Sequence, residues 1–349
     1  MDRFVDVLQQ EIEIRQHYLV GAPVSTIYLG GGTPSLLNSN QLTQIFKQLS
    51  KYFTIESDCE ITLEANPDDL TESYLAHISD TKINRLSIGI QSFNDVQLKF
   101  LNRRHNANQA IAAVENARTA GFRNISIDLI YGIPGQSPED WHMQLNTAFS
   151  LNPEHISAYG LTFEPDTLLF SMKEKSKVSE HNDESMIQMY SILLNEIRKH
   201  GYEAYELSNF CKPGFRSRHN SSYWKFIPYL GLGPSAHSFN NNSRQWNIAS
   251  LQEYIDKVSS SDIFYEKEEL TRENLYNEYV MVSLRTMNGA DLQFVNQEFG
   301  SEYHQYFSKN IHHFCEKGLL HIDKNQVKLT EKGIHLSNMI ITELMMTKC

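Results

Sequence analysis

Thr26-Ile27-Tyr28-Leu29-Gly30-Gly31-Gly32-Thr33-Pro34 is the stretch that decides the fold. A short apolar strand runs straight into three consecutive glycines. Without a Cβ, the backbone of such a turn lets a bound molecule approach closely. The turn alone is a weak signal. It gains meaning from what surrounds it.

Upstream, Phe4, Leu8, Ile12 and Leu19 recur at helical spacing, with Val5 and Ile14 beside them, so a helix is predicted over Phe4–Leu19. Downstream, strands are predicted at Thr26–Leu29, Glu60–Ala65, Arg85–Ile90, Asn124–Ile130 and His155–Leu161. Helical patterns fall between them, near Ser39–Tyr52, Thr71–Ile78, Ala107–Ala120 and Pro138–Leu151. Strands rich in Ile, Leu and Tyr that alternate with helices make an α/β fold, with a parallel sheet and right-handed crossovers.

In parallel α/β sheets, ligands bind beyond the carboxyl ends of the strands. Here the five strand ends carry Gly30–Pro34, Glu64-Ala65-Asn66-Pro67-Asp68, Gly89-Ile90-Gln91-Ser92-Phe93, Asp128 with Tyr131–Gln136, and Ser157-Ala158-Tyr159-Gly160. Asp128 stands out in the nearly apolar run Ile125–Ile130. A charge there is paired or faces a lumen.

The rest of the chain is less regular. Phe170–Val178 is lysine-rich, a long helix is predicted over Glu184–His200, and residues 203–240 read as short strands and loops. From about residue 265 the pattern is helical. It ends in strand-like Gly318–Ile322 and Val327–Thr330 around Lys324-Asn325, with a helix from Glu331, which reads as a winged-helix-like module. From Phe264 onward there are nine Lys plus Arg against twelve Asp plus Glu. A DNA-binding wing is basic, so this one is read as a packing or lid element. The boundaries expected are 1–165 for a partial barrel, 166–263 for a connecting and ligand-site region, and 264–349 for the C-terminal domain.

A net charge of −11 argues against a nucleic-acid surface. No signal peptide is evident, and no apolar run approaches the roughly 20 residues of a membrane span, so a cytoplasmic location is expected. Cys59, Cys211, Cys315 and Cys349 lie far apart in sequence and show no metal-type spacing.

Together the glycine turn and the four later strand ends resemble the radical S-adenosylmethionine (SAM) family, in its coproporphyrinogen oxidase-like branch. The resemblance implies an open (β/α)6 barrel, here lacking its first strand. It also implies a [4Fe-4S] cluster on a C-x3-C-x2-C loop before the glycine turn, a loop this chain does not contain. The chain is therefore read as a truncated form of a longer protein, with natural loss of the strand as the alternative. As it stands, no cluster and no SAM cleavage are expected.

By the same resemblance, Gly31, Gly32 and Thr33 would meet the amino and carboxylate groups of SAM. Glu64 would accept from its ribose hydroxyls. Gln91, Arg103 and Asp128 would complete the SAM site, and Leu161 or Thr162 would line the adenine. A ligand-free strand–helix turn, a helix-terminal charge at Glu64 and a contact from Arg104 instead of Arg103 are the alternatives.

A second constellation resembles the haem-chaperone subgroup of that branch. Arg218-His219-Asn220-Ser221-Ser222-Tyr223-Trp224 matches an H-N-x-x-Y-W motif, and Tyr229–Ser238 (YLGLGPSAHS) follows it. Leu284-Arg285-Thr286 and Leu329–Gly333 continue the likeness to the end of the chain. Histidine ligates haem iron and aromatic rings stack on the macrocycle. His219 is thus the first candidate iron ligand, Tyr223 and Trp224 candidate walls, and His237 the second candidate. The function implied is haem binding and delivery to haem-accepting respiratory proteins. The alternatives are an oxygen-independent coproporphyrinogen III dehydrogenase and a catalytically silent binding protein.

Overall fold

The computed structural model describes residues 1–347, so Cys349 lies outside the described residues. The first half alternates as expected: α1 (Asp2–Ile14), β1 (Val24–Leu29), α2 (Ser39–Tyr52), β2 (Ile55–Ala65), α3 (Glu72–Ser79), β3 (Arg85–Gln91), α4 (Asp95–Phe100), α5 (Ala107–Thr119), β4 (Ile125–Tyr131), α6 (Pro138–Ser150) and β5 (His155–Gly160). Local chemistry starts these helices cleanly. Asn38, Asn106 and Ser137 each form a reciprocal capping box with the residue three positions on, and Pro138 opens α6 with a pre-set φ.

Strands β1 to β5 lie side by side in sequence order and are all parallel. Their side chains alternate. Ile61, Leu63, Leu86, Ile88, Ile125, Ile127, Leu129 and Ile156 point to the helices and are buried in the main core. Thr62, Glu64, Arg85, Ser87, Ser126, Asp128, His155 and Ser157 occupy the other face, the barrel lumen. The strands that read as apolar throughout are thus two-sided, with a hydrocarbon face outward and a polar face inward.

The second half is α7 (Leu168–Glu174), α8 (Asp183–Lys199), β6 (Glu203–Ala204), β7 (Asn209–Cys211), α9 (Arg218–Trp224), β8 (His237–Phe239), β9 (Ser243–Asn247), α10 (Leu251–Ser260), β10 (Tyr265–Glu269), α11 (Arg272–Ser283), β11 (Ala290–Asp291), α12 (Leu292–Phe294), α13 (Ser301–Glu316), β12 (Leu320–Asp323), β13 (Gln326–Leu329), α14 (Glu331–Ile334) and α15 (Ser337–Leu344). Strands β7 and β6 extend the main sheet beyond β5 in antiparallel fashion, making seven strands in all. The sheet is therefore longer than the five parallel strands read from the sequence. Two further corrections concern this half. The motif segment 218–224 is a helix rather than a loop, and the region from 265 opens with a strand that pairs with β9.

A three-stranded antiparallel sheet, β11-β13-β12, lies with α11, α13 and α15 around a separate core that includes Tyr276, Phe307, Phe314 and Ile340. A small third core holds Val7 of α1 against Tyr254, Val258 and Phe264. Helix α1 is thereby shared between the barrel and the β8–β10 sheet. Its buried Glu11 accepts from Tyr254 Oη at 2.5 Å, Asn247 Nδ2 at 2.6 Å and Gly233 N at 2.7 Å. Burial raises the Glu11 pKa, and these three donors hold it down. The conspicuous 229–238 segment is thus seated on α1 through Gly233.

Candidate functional site

Gly32, Thr33, Glu64, Gln91, Arg103 and Asp128 line one cavity of about 260 Å³ at the carboxyl ends of β1 to β4. Gly31 stands beside it with a left-handed φ of 79°, and its N–H donates to Glu64 Oε2 at 3.0 Å. The other oxygen of Glu64 accepts from the Tyr28 hydroxyl at 2.6 Å. A Cβ on Gly30 would lie 2.5 Å from Tyr28 Cε1 and 2.7 Å from Glu64 Cδ. The first glycine is therefore required by the Tyr28–Glu64 contact. Gly32, two residues on, has open space where a Cβ would go.

Gln91 ends β3 with φ at 65°, beyond a register irregularity after Ile88. A glutamine in the left-handed region carries strain that its surroundings must hold. The residue after it, Ser92, is held in a buried amide cluster. Gln97 Oε1 accepts from Gln144 Nε2 at 2.7 Å, Ser92 Oγ at 2.9 Å and Gln136 Nε2 at 3.3 Å. Gln136 Oε1 in turn accepts from the Gly132 N–H at 2.8 Å, which ties the end of β3 to the end of β4.

The two adjacent arginines divide. Arg103 turns into the cavity, where Nη2 donates to Asn66 Oδ1 at 2.7 Å and to Gly89 O at 2.9 Å. Arg104 turns away to ion pairs with Asp68 and Asp69 at 2.9 and 3.0 Å. Asp128 sits across the cavity, with Ser87 Oγ at 3.4 Å from both carboxylate oxygens. Burial pushes its pKa up to about 6, against hydrogen bonds from Ser157 and Ser87 and the charge of Arg85. Leu161 and Thr162 lie apart from this set, in a second cavity of about 290 Å³ between Gly132 and His181.

Arg85 was not anticipated. It is 1% exposed on the lumen face, its Nε has no hydrogen-bond partner, and it forms no ion pair among the described residues. Its charge lowers the pKa values of Asp128, His155 and His219 alike. His155, fully buried nearby, is held by Ser126 Oγ and Tyr205 Oη, both at 2.7 Å, and burial keeps it neutral.

The candidate haem residues fall into two places. Helix α9 packs against the edge strand β1, and Glu60 of β2 fixes its first turn by accepting from the backbone N–H groups of Arg218 (3.1 Å) and His219 (3.0 Å). The His219 ring stacks on Tyr28, with centroids 4.8 Å apart and planes 19° apart. Its Nδ1 is 2.9 Å from Thr26 Oγ1 and its Nε2 is 2.9 Å from Tyr223 Oη. Burial lowers its pKa to about 4, so the ring is neutral at neutral pH. Trp224 closes the helix, and its buried Nε1 has no partner among the described residues. His237 stands on β8, exposed beside Trp246 with ring centroids 6.2 Å apart. Tyr223, Tyr229 and Phe239 form a chain of ring contacts from α9 toward β8.

Sequence reasoning missed Tyr28, Asn66, Ser87 and Arg85 as site residues. The period-two alternation of the strands was the available signal. It places Tyr28, Arg85 and Ser87 on the face that carries Glu64 and Asp128. No group of three or more His, Cys, Asp or Glu side chains suited to a metal ion exists among the described residues. Cys59 and Cys211 are buried free thiols, and burial raises both pKa values to about 11. Among the described residues, no thiolate set for a [4Fe-4S] cluster is brought together.

Comparison with known proteins gives a consistent picture. Residues 2–147 match the Radical SAM superfamily and residues 270–336 match the HemN C-terminal domain. The chain is 34% identical over 341 residues to the protein named heme chaperone HemW of Bacillus subtilis (strain 168), across 97% of this chain and 90% of that one. It is 30% identical over 321 residues to heme chaperone HemW of Lactococcus lactis (strain IL1403), across 92% and 84%. Among solved structures, the radical SAM enzyme coproporphyrinogen III oxidase (HemN) from Escherichia coli superposes with a TM-score of 0.83 at 26% identity, covering 99% of this chain and 83% of that one. From the parallel half-barrel and its strand-end cavity to these matches along nearly its whole length, this chain belongs to the HemW family of radical SAM proteins.

Proposed function

We propose that this chain binds haem at the α9 face and delivers it to acceptor proteins, with SAM held in the strand-end cavity. The observation that carries this reading is the contiguity of the two regions: His219 of the H-N-x-x-Y-W helix stacks on Tyr28, and Tyr28 donates to Glu64 in the cavity wall. The name shared by the relatives points to the cargo.

The cavity suits a zwitterionic nucleoside. Its lining is polar, Glu64 and Asp128 stand in its wall, and Arg103 presents a guanidinium whose Nη2 alone is engaged among the described residues. Arg103 would pair with the methionyl carboxylate. Glu64 would accept from the ribose hydroxyls, and Gly31, Gly32 and Thr33 would meet the amino group and carboxylate. In this family SAM, when bound beside a reduced cluster, supplies a 5′-deoxyadenosyl radical. These residues would position SAM, and no cysteine set for the cluster comes together among the described residues.

His219 is suited to a haem iron because it is neutral and carries aromatic neighbours. Respiratory haem proteins are the proposed acceptors. Haem titration followed by Soret absorbance tests the reading, with His219→Ala expected to weaken binding at least about tenfold. Equal binding by the variant moves the ligand elsewhere, with His237 the next residue to change. A second reading, oxygen-independent dehydrogenation of coproporphyrinogen III, draws on the structural likeness to HemN. Turnover of coproporphyrinogen by a longer form that carries the cluster loop would favour it.

A further inference from the structure

The ends of β4 and β5 form a seat outside the first cavity. Tyr131 and Gly160 are register partners, so Gly132 and Gly160 come together where these two strands stop. Neither has a Cβ, and the Met186 side chain fills the room this leaves. A Cβ on Gly132 would lie 2.5 Å from Met186 Sδ, and one on Gly160 would lie 3.1 Å from Met186 Cε.

Met186 stands in the first turn of α8. That turn is pinned on both sides. Asn182 caps it by accepting from the Ser185 N–H at 2.9 Å, and His181 Nε2 donates to Ile133 O, beyond β4, at 2.9 Å. The backbone is thus anchored, while the half-buried, unbranched thioether can adapt at its tip.

The thioether forms one wall of the second cavity, of about 290 Å³, with Leu161, Thr162 and Phe163 as other walls. A polarizable sulfur makes favourable contacts with aromatic rings. The two glycines leave backbone that a flat group can approach closely. The first cavity includes Asp128 of β4, and the second includes Gly132, four residues further along the chain. A ligand whose polar arm lies in the first cavity therefore has the second within its course along β4.

We propose that Met186 is a base-binding residue: the purine of a nucleoside held in the first cavity reaches past the end of β4 and packs on the Met186 thioether. This rests on the reading of the first cavity as a SAM site.

The test compares two ligands on the full chain. S-adenosylhomocysteine carries the base, and S-ribosylhomocysteine has the sugar and amino-acid arm without it. Calorimetry measures both on the parent and on Met186→Ala. The variant is expected to bind S-adenosylhomocysteine about two- to tenfold more weakly, the range of a sulfur–ring contact, and S-ribosylhomocysteine within about twofold of the parent. Equal losses for the two ligands, or no loss for either, overturn the proposal.

A second measurement uses the parent alone, labelled with 13C-methyl methionine. The Met186 methyl signal is assigned by its disappearance in Met186→Leu. Saturating S-adenosylhomocysteine is expected to move it upfield, as the face of a ring does to a methyl group, and S-ribosylhomocysteine is expected to leave it in place. A methyl that ignores bound S-adenosylhomocysteine overturns the proposal. If calorimetry detects no binding of S-adenosylhomocysteine to the parent, the SAM reading of the first cavity fails, and adenosine alone is added to the labelled protein. A Met186 methyl shift with adenosine upholds the base seat, and no shift overturns it.

Discussion

The Tyr28 hydroxyl donates to Glu64 Oε1 at 2.6 Å, across a gap that exists only because residue 30 is glycine. The glycine run therefore does two jobs. Gly30 clears the way for a side-chain contact within the protein, and Gly31 and Gly32 form the exposed lip of the cavity.

Gly30→Ala is expected to destabilise the fold by about 1 kcal/mol, because its Cβ would push the Tyr28 and Glu64 side chains out of their contact at an exposed turn. Gly32→Ala is expected to fall within about 0.5 kcal/mol of the parent, because its Cβ meets nothing within 4 Å. Urea denaturation of both variants measures the difference. Equal losses would show that the Tyr28–Glu64 contact does not require Gly30.

Arg103→Ala is expected to weaken S-adenosylhomocysteine binding about tenfold or more, as the loss of a charge-assisted contact of about 1.5–3 kcal/mol requires. Arg104→Ala is expected to leave it nearly unchanged, since its exposed pairs with Asp68 and Asp69 contribute about 0–1 kcal/mol to stability. Calorimetric titration separates the two. A larger effect at Arg104 would reverse their roles.

The lumen carboxylate sets a pH dependence. The Asp128 pKa in the fold is about 6, above an unfolded value near 4. Between these values the folded state holds the extra proton, so this group's contribution to stability falls as pH rises through that window. His219 acts in the opposite sense. Its folded pKa of about 4 lies below an unfolded value near 6.5, so its contribution rises with pH and is lost as pH falls through that range. Asp128→Asn is expected to stabilise the protein by about 1–3 kcal/mol at pH 7.5 and by much less at pH 4.5. Denaturation curves at the two pH values check this, and an unstabilised variant at pH 7.5 contradicts it.

Glu11→Ala leaves Tyr254, Asn247 and the Gly233 N–H without their shared acceptor inside a buried junction. A loss of about 3–5 kcal/mol is expected, larger than that of Glu11→Gln, which keeps an acceptor oxygen. Thermal melts of the two variants test the ranking.

Much of the barrel was legible in the sequence for simple reasons. Strands β1 to β5 are apolar on their helix-facing side, their caps are explicit, and their polar ends sit where a parallel sheet gathers ligands. Gly32, Thr33, Glu64, Gln91, Arg103 and Asp128 were read from five separate segments, and they meet around one cavity. Helix α9 was not legible. Its seven residues, RHNSSYW, have no apolar periodicity, and its first turn is held by Glu60, a partner distant in sequence. Strands β6 and β7 are two and three residues long and exist by pairing, not by pattern. Tyr28 read as one more apolar strand residue, since only the fold shows which rings its two sides meet.

Haem titration of the parent and of His219→Ala, monitored in the Soret region, bears on the function before anything else. Haem binding through His219 predicts a saturable, one-to-one Soret shift in the parent and at least about tenfold weaker binding in the variant. A parent that binds no haem, or a variant that binds it as tightly with the same spectrum, would contradict haem carriage by the α9 helix.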